Sequence, residues 1–450
     1  MIKKITYLLA WIVFFTFKSY AFLNIEIVNF NEKPVPIVVA NFSGAKEFNK
    51  YIVLINKIIE EDLKKSGMFA IYRDENKIQY DFNGGELDPY VFNYNGFSAV
   101  LFGNIFLNDL GQTSVEFILW DLYNMVILDS FVYVISEKNS YDDLYWIAHD
   151  ISNEVYFNLI GEKGYFNSKI AYICENKLVV NDLDGRNQMY ITDGTEKVLS
   201  PSFSFSGKYL AYLSFKDKGK SNIYMYDIAT KKHVKLGNFK GLAMAPRFAP
   251  DDSKMLFSLS ENGRTNIYKL DMLSKKISKL TFNSNINLAG GFSEDGSKIV
   301  FNSDKNGKPA IYTMDANGEN INLLLGDKDA SYYTPSWSPK GDLIAYTKIE
   351  KGNFYIGVIS ADGQVQKIIS NDKYSESPSF ATNGRNLIYQ FEYDKNKRAF
   401  YIIDILSKNK LLLKQGANCI DPVFSGNVDI SVKKNKVEYK VGYGDWLWCF

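Results

Sequence analysis

The chain is poor in the side chains that most chemistry needs. Among 450 residues there are two histidines, His149 and His233, and three cysteines, Cys174, Cys419 and Cys449. No CxxC and no HxxxH occurs, which removes the usual zinc and redox-dithiol arrangements. There is no G-x-S-x-G nucleophile elbow; the nearest string, Gly96-Phe-Ser98-Ala-Val100, lacks the second glycine. A P-loop and a strand-linked GxGxxG are also missing. The strings beginning at Asp182, Asp304 and Asp315 look like fragments of calcium loops. They lack the terminal Glu and the full ligand count, and they read as hairpin turns. Neither a metal nor a cofactor is expected, and no catalytic residue is assigned. Excess charge of one sign is missing too, with 52 Lys plus Arg against 51 Asp plus Glu. A neutral chain has no electrostatic case for binding nucleic acid.

What the chain has is apolar and aromatic. It is 46% hydrophobic and 23% charged, a globular composition. Aromatics make up 15%, and they favour half-buried pleated surfaces. Residues 1–21 read as a secretory signal. Lys3 and Lys4 precede an apolar run over 5–17, and Ser19-Tyr20-Ala21 supplies small residues before a cut at Phe22. The run is too short to span a bilayer as a helix, which takes about 20 residues. No later segment carries 18 uncharged apolar residues, so no membrane insertion is expected after cleavage. The expected compartment lies outside the cytoplasm, where disulfides persist.

A repeat fills the last two thirds of the chain. A proline followed two residues later by an aromatic occurs at Pro201/Phe203, Pro246/Phe248, Pro335/Trp337, Pro378/Phe380 and Pro422/Phe424, with a variant at Gly290/Phe292. The steps between first positions are 45, 44, 45, 43 and 44 residues. Apolar residues follow seven and nine positions after the aromatic, across a Gly/Asp turn, as Leu210 and Tyr212 do. That is a hairpin. A third strand ends in Asp227, Asp271, Asp315 and Asp404, with Ser360 in the remaining copy, and a short fourth stretch follows. Four strands in about 44 residues make a β-propeller blade. The period of two excludes a helical solenoid.

The ends of the repeat are offset. The first copy has a second strand at Ile170-Ala-Tyr172, a third at 178–182 and, on this reading, a fourth at Val198-Leu199, but no innermost strand. The last copy is an innermost strand alone, Pro422-Val-Phe424. A six-bladed propeller over 169–425 is expected, in which 420–425 completes the sheet begun by 169–199. Cys174 and Cys419 fall at adjoining ends of that composite blade, as a disulfide or as two unrelated buried thiols.

Residues 22–160 read as a small α/β domain. Strands are expected at 37–42, 68–72 and 100–106, with a hairpin of 114–122 and 126–135. Helices carry the apolar stripes Ile52, Ile55, Ile59, Leu63 and Leu144, Ile147, Ile151, Val155. His149 lies off the second stripe and His233 in a Lys-rich turn, so both read as solvated. Residues 161–168 form a linker. Residues 426–450 are an extension, read as an added hairpin of 428–432 and 437–443 or as a degenerate tail. Its Trp446, Leu447, Trp448 and Phe450 would want cover.

The signal, the α/β domain, the blades, the linker Gly161-Glu-Lys-Gly-Tyr-Phe-Asn-Ser-Lys-Ile-Ala-Tyr172 and the string Asp184-Gly-Arg-Asn-Gln188 together resemble the TolB family of the Tol–Pal envelope system. The resemblance covers about 1–425. It implies a periplasmic scaffold without catalysis that maintains outer-membrane integrity and supports constriction at division. It also implies binding of the lipoprotein Pal at one mouth of the propeller and of TolA through the mature N-terminal segment 22–31. There, Phe22, Ile25, Ile27 and Phe30 would be the apolar anchors, by strand addition or as a strand of their own domain. Loops leading into the innermost strands would build the Pal-facing rim, with Met244, Asn287, Lys308, Tyr332, Tyr333 and Glu376 as contacts. Several rim positions differ from the family's usual residues. The rival readings are a propeller binding carbohydrate or peptide, and an accessory domain of a hydrolase.

Overall fold

The computed structural model describes residues 34–72, 96–136, 140–217, 220–282, 285–370, 372, 374–395, 397–414, 418–426 and 436–437. The signal, the segment 22–31 and most of 426–450 lie outside the described residues.

The first domain is a mixed sheet backed by two helices. Strands β1 (Val35–Val39), β3 (Phe69–Tyr72) and β4 (Ala99–Leu107) are parallel, with the short β2 (Ser43–Gly44) beside β4. Strands β5 (Thr113–Asp121) and β6 (Val126–Val134) continue it antiparallel. Helix α1 (Asn49–Ser66) buries Ile55, Ile58, Ile59 and Leu63, whose spacing makes one stripe. Gly67 ends it at φ 68°, in the left-handed region that glycine enters at no steric cost. Helix α2 (Ser140–Ile160) packs on α1 and the sheet through Leu144, Ile147, Ile151 and Val155. A two-residue strand of the extension, Lys436–Val437, pairs with β6 opposite Tyr133 and Val132.

Five four-stranded blades follow, over 198–235, 242–279, 287–325, 330–370 and 376–414. The sixth joins the two ends of the repeat. Cys419–Phe424 is its innermost strand, and Lys169–Cys174, Lys177–Asp182 and Met189–Tyr190 are the others. Pairing runs Cys419↔Cys174, Ile420↔Ile173, Val423↔Ala171 and Phe424↔Ile170. The Ser425 N–H donates to Lys169 O at 2.8 Å, and the Lys169 N–H donates to Ser425 Oγ at 2.9 Å. The structure joins Cys174 to Cys419 by a disulfide.

One assignment needs correcting. The fourth strand of the closing blade is Met189–Tyr190, whereas Val198 opens the innermost strand of the next blade, Val198–Phe203, opposite Ser214. Each innermost strand starts several residues ahead of its proline position and carries a bulge there. The residue before each of the five prolines has positive φ: Ser200, Ala245, Thr334, Ser377 and Asp421. In the third blade Gly290 replaces proline because a Cβ there would meet Pro335 Cγ and O at 2.6 Å.

Inner-strand N–H groups wire each blade to the one before it. Ser200 N donates to Asp421 Oδ2 at 3.2 Å, Ala243 N to Ser221 Oγ at 2.8 Å and Ala289 N to Ser258 Oγ at 2.9 Å. Tyr332 N donates to Pro309 O at 2.8 Å, Ser377 N to Thr347 Oγ1 at 3.2 Å and Asp421 N to Gln390 Oε1 at 2.8 Å. The circuit runs through all six junctions and meets itself at Asp421, which accepts from one neighbour and donates to the other.

The first domain sits on the face made by the turns between first and second strands and between third and fourth strands. Asn409 Nδ2 donates to Gly67 O at 2.8 Å, and a Cβ on Gly67 would meet Asn409 Cβ at 2.8 Å. The buried Arg385 Nε donates to Asp404 Oδ2 at 2.5 Å, while its Nη2 reaches Met68 Sδ. Lys340 pairs with Glu162. Tyr165 and Phe166, in the segment read as a linker, are buried against Tyr156, and Tyr165 also meets Phe424. One apolar cluster runs from the helices through these rings into the propeller.

His149 departs from its expectation. It is buried, with Nδ1 at 2.6 Å from Asp62 on α1 and Nε2 at 3.4 Å from Asp184 on the propeller. Arg186 pairs with Asp184 at 3.1 Å and stacks on Tyr145. Burial alone would lower the imidazole pKa, but the two carboxylates outweigh it and hold it up at about 9. Asp184, also opposed by burial, is held down at about 2 by His149 and Arg186. His233, by contrast, is exposed, but it lies on the strand Lys232–Lys235 opposite Tyr226 and not in a turn, with Nδ1 at 2.8 Å from Tyr212 Oη.

Two outcomes are expected. Truncation after Asn418 removes the clasp and lowers the melting temperature sharply. The Cys174→Ser/Cys419→Ser variant separates the covalent share, which for so long a loop is on the order of 5 kcal/mol in a chain-entropy account. Intact mass after alkylation, with and without reductant, reads the bond directly. The pH dependence of melting tests the His149 cluster. A raised imidazole pKa contributes stability that is complete below about 6.5 and is lost as pH rises through about 9. The lowered Asp184 contributes stability present above its ordinary value and lost as pH falls through about 2. His149→Gln should melt lower at pH 6 and lose the alkaline slope; a parallel pair of curves would contradict this account.

Candidate functional site

With one face of the propeller taken by the first domain, the other carries the loops between second and third strands and those leading into the innermost strands. The bore runs between the two faces. A cavity of about 490 Å³ within it is lined by the innermost strands and by the turns between first and second strands, so it lies toward the face that carries the first domain.

The proposed rim residues divide into three groups. Lys308 is exposed, with Nζ donating to Lys328 O. Met244 and Tyr333 are half-buried and line the bore. Glu376 is half-buried, accepts from Gln390 Nε2 at 2.7 Å and lies 3.6 Å from Arg398. Two are not surface groups. Asn287 is 0% exposed, and its Nδ2 donates to Thr265 O at 3.0 Å. Tyr332 is 2% exposed and packs edge-on to Tyr346 between the third and fourth blades. Neighbouring residues of a strand point to opposite faces, so Tyr332 goes into the blade junction while Tyr333 lines the bore.

The loops also present apolar groups that the sequence did not single out. Phe282 is 79% exposed, and Ile286, Leu242 and Tyr374 are exposed on or beside the loops that lead into the third, second and fifth blades on the same face. Their signal was large apolar residues in loops that should be polar. Tyr374 is held edge-on by Phe354.

Deeper in, the polar groups are few and connected. Arg398, Glu376, Gln390, Asp421 and Ser200 form one network across three blades. Burial raises the Asp421 carboxyl, against the Ser200 N–H and the fields of Arg247 and Arg398. Burial lowers the Arg247 guanidinium, with Asp421 opposing. Among the described residues no group of three or more His, Cys, Asp or Glu side chains could hold a metal ion. Among the same residues no helix is long and apolar enough to cross a membrane.

Comparison with known proteins matches both parts of this architecture. The TolB amino-terminal domain model matches residues 23–126, and the TolB beta propeller domain model matches 156–427. The Tol-Pal system protein TolB of Gluconobacter oxydans is 34% identical over 80% of this chain and 77% of its own length. That of Rickettsia bellii is 34% identical over 57% of this chain and 59% of its own length. The crystal structure of TolB from Acinetobacter baumannii superposes with a TM-score of 0.75, at 24% identity, over 88% of this chain and 97% of that one; it bears on the fold alone. The two family models lie in chain order on the α/β domain and the propeller, and a relative a third identical spans most of both, so the chain belongs to the TolB family of the Tol–Pal system.

Proposed function

We propose that this chain is a periplasmic, non-catalytic adaptor of the Tol–Pal system. It binds the lipoprotein Pal through the propeller face that points away from the first domain, and TolA through the mature segment 22–31. In this role it maintains outer-membrane integrity and supports envelope constriction during division. The observation that carries the reading is the set of exposed apolar side chains Leu242, Phe282, Ile286 and Tyr374 on loops of the face the first domain leaves free. Exposed aromatic and aliphatic groups on polar loops have the chemistry of a protein-docking surface. Tyr333, Met244, Glu376 and Lys308 lie toward the same face. Phe22, Ile25, Ile27 and Phe30 supply its apolar anchors for TolA, and Leu23, Ile25 and Ile27 alternate with Asn24 and Glu26 as a strand joining a partner sheet would.

The test uses mature protein and purified Pal and TolA domains. Phe282→Ala with Tyr374→Ala should weaken Pal binding at least tenfold, with an unchanged melting curve. Tyr333→Ala should weaken it less. Deleting 22–31 should abolish TolA binding and leave Pal capture. Undiminished Pal affinity in the double variant would remove Phe282 and Tyr374 from the interface.

A further inference from the structure

The position just after each of the five prolines, and after Gly290 in the third blade, lines the bore, and across the six blades it holds Ser202, Arg247, Gly291, Ser336, Ser379 and Val423. Five are small or apolar. Arg247 is the sole base on the cavity wall among the described residues, where the acids are Asp421 and Glu294.

A guanidinium carries five donors in a fixed fork. The one hydrogen bond described for Arg247 runs from Nη1 to its neighbour's carbonyl, Pro246 O, at 2.8 Å. No carboxylate within ion-pair distance is described for it. Asp421 acts on it through its field, but the Asp421 carboxylate accepts from Ser200 N instead. A largely enclosed cation held by one carbonyl is costly unless an anion joins it. Around it, prolines and the edges of Phe203, Phe248 and Phe292 make apolar walls. The cavity, about 490 Å³, is of the size that holds small organic ligands.

We propose that the bore is a carboxylate-binding site in which Arg247 grips the carboxylate with its free N–H fork while the proline and phenylalanine walls hold an apolar body beside it. The carboxylate belongs to a small aromatic acid or to the acidic end of a peptide entering the bore. The site is separate from the exposed apolar loop side chains and does not rest on the partner reading, whose assay scores Pal capture.

Calorimetric titration of the full mature chain decides it. The probes are hippurate, its neutral amide benzoylglycinamide, and a capped Ala-Phe-Glu peptide with its Ala-Phe-Gln counterpart. At least one acid should bind saturably and at least tenfold more tightly than its neutral twin. Hippurate alone would identify a small acid, and the peptide alone an acidic chain. Arg247→Met, which keeps the bulk, should lose that discrimination, and Arg247→Lys should keep part of it; melting curves of both check folding. The proposal is overturned if neither acid outbinds its twin, or if Arg247→Met binds the acid as the native chain does.

Discussion

Everything in this molecule waits on one strand returning. Until Cys419–Phe424 lies along Lys169–Cys174, the chain has three strands at one end without an inner edge and one strand at the other without a sheet. Each ladder bond contributes only about 1 kcal/mol net, but closure does more than add bonds. It brings Asp421 between Gln390 and Ser200, so the circuit of inner N–H groups meets itself. It places Phe424 against Tyr165, so the same strand that shuts the ring also seats the first domain.

Docking then decides which face can meet a partner. The first domain holds the turn face through groups that are satisfied only in the assembled molecule. His149 needs a carboxylate from each domain, Arg385 sits buried between Asp404 and Met68, and Gly67 is tight against Asn409. Removing one partner of such a pair strands a buried charge, at a cost of about 3–5 kcal/mol. The continuous apolar cluster beneath them makes the two domains one packed body. The loops around the other mouth are left with exposed apolar side chains that their own chain does not cover among the described residues.

The sequence was legible where a signal repeats and obscure where a contact is unique. Five copies of proline-x-aromatic and one glycine variant, all but the last followed by a hairpin, carried the blade count and the offset at the ends, because a periodic pattern averages out local noise. The burial of His149 has no local signal. Its helix stripe points elsewhere, and its partners come from another helix and from a turn 35 residues on. Asn287 and Tyr332 were misplaced for a different reason. Both lie ahead of a bulge, and a bulge changes which face each residue meets. Both were read as loop residues, yet each lies on an innermost strand, Asn287–Phe292 and Ala330–Trp337. Phe282 was passed over because it falls outside the repeat, in a loop whose length differs from blade to blade.

The bulges themselves answer a physical need of the ring. Every innermost strand is an edge strand facing the bore, and an edge is where another strand can add. Proline removes one donor from that edge, and the residue before it enters the left-handed region at a cost of roughly 1–3 kcal/mol for a non-glycine. Five blades bear that cost at the same place. Where Pro335 of the next blade already fills the space, glycine stands instead and still supports a register shift. The strain is spread around the circle and offset by packing between blades. It leaves a bore whose edges are blunted against strand addition, so that a partner or ligand must be recognised there by side chains, of which Arg247 carries the one positive charge among the residues described on its wall.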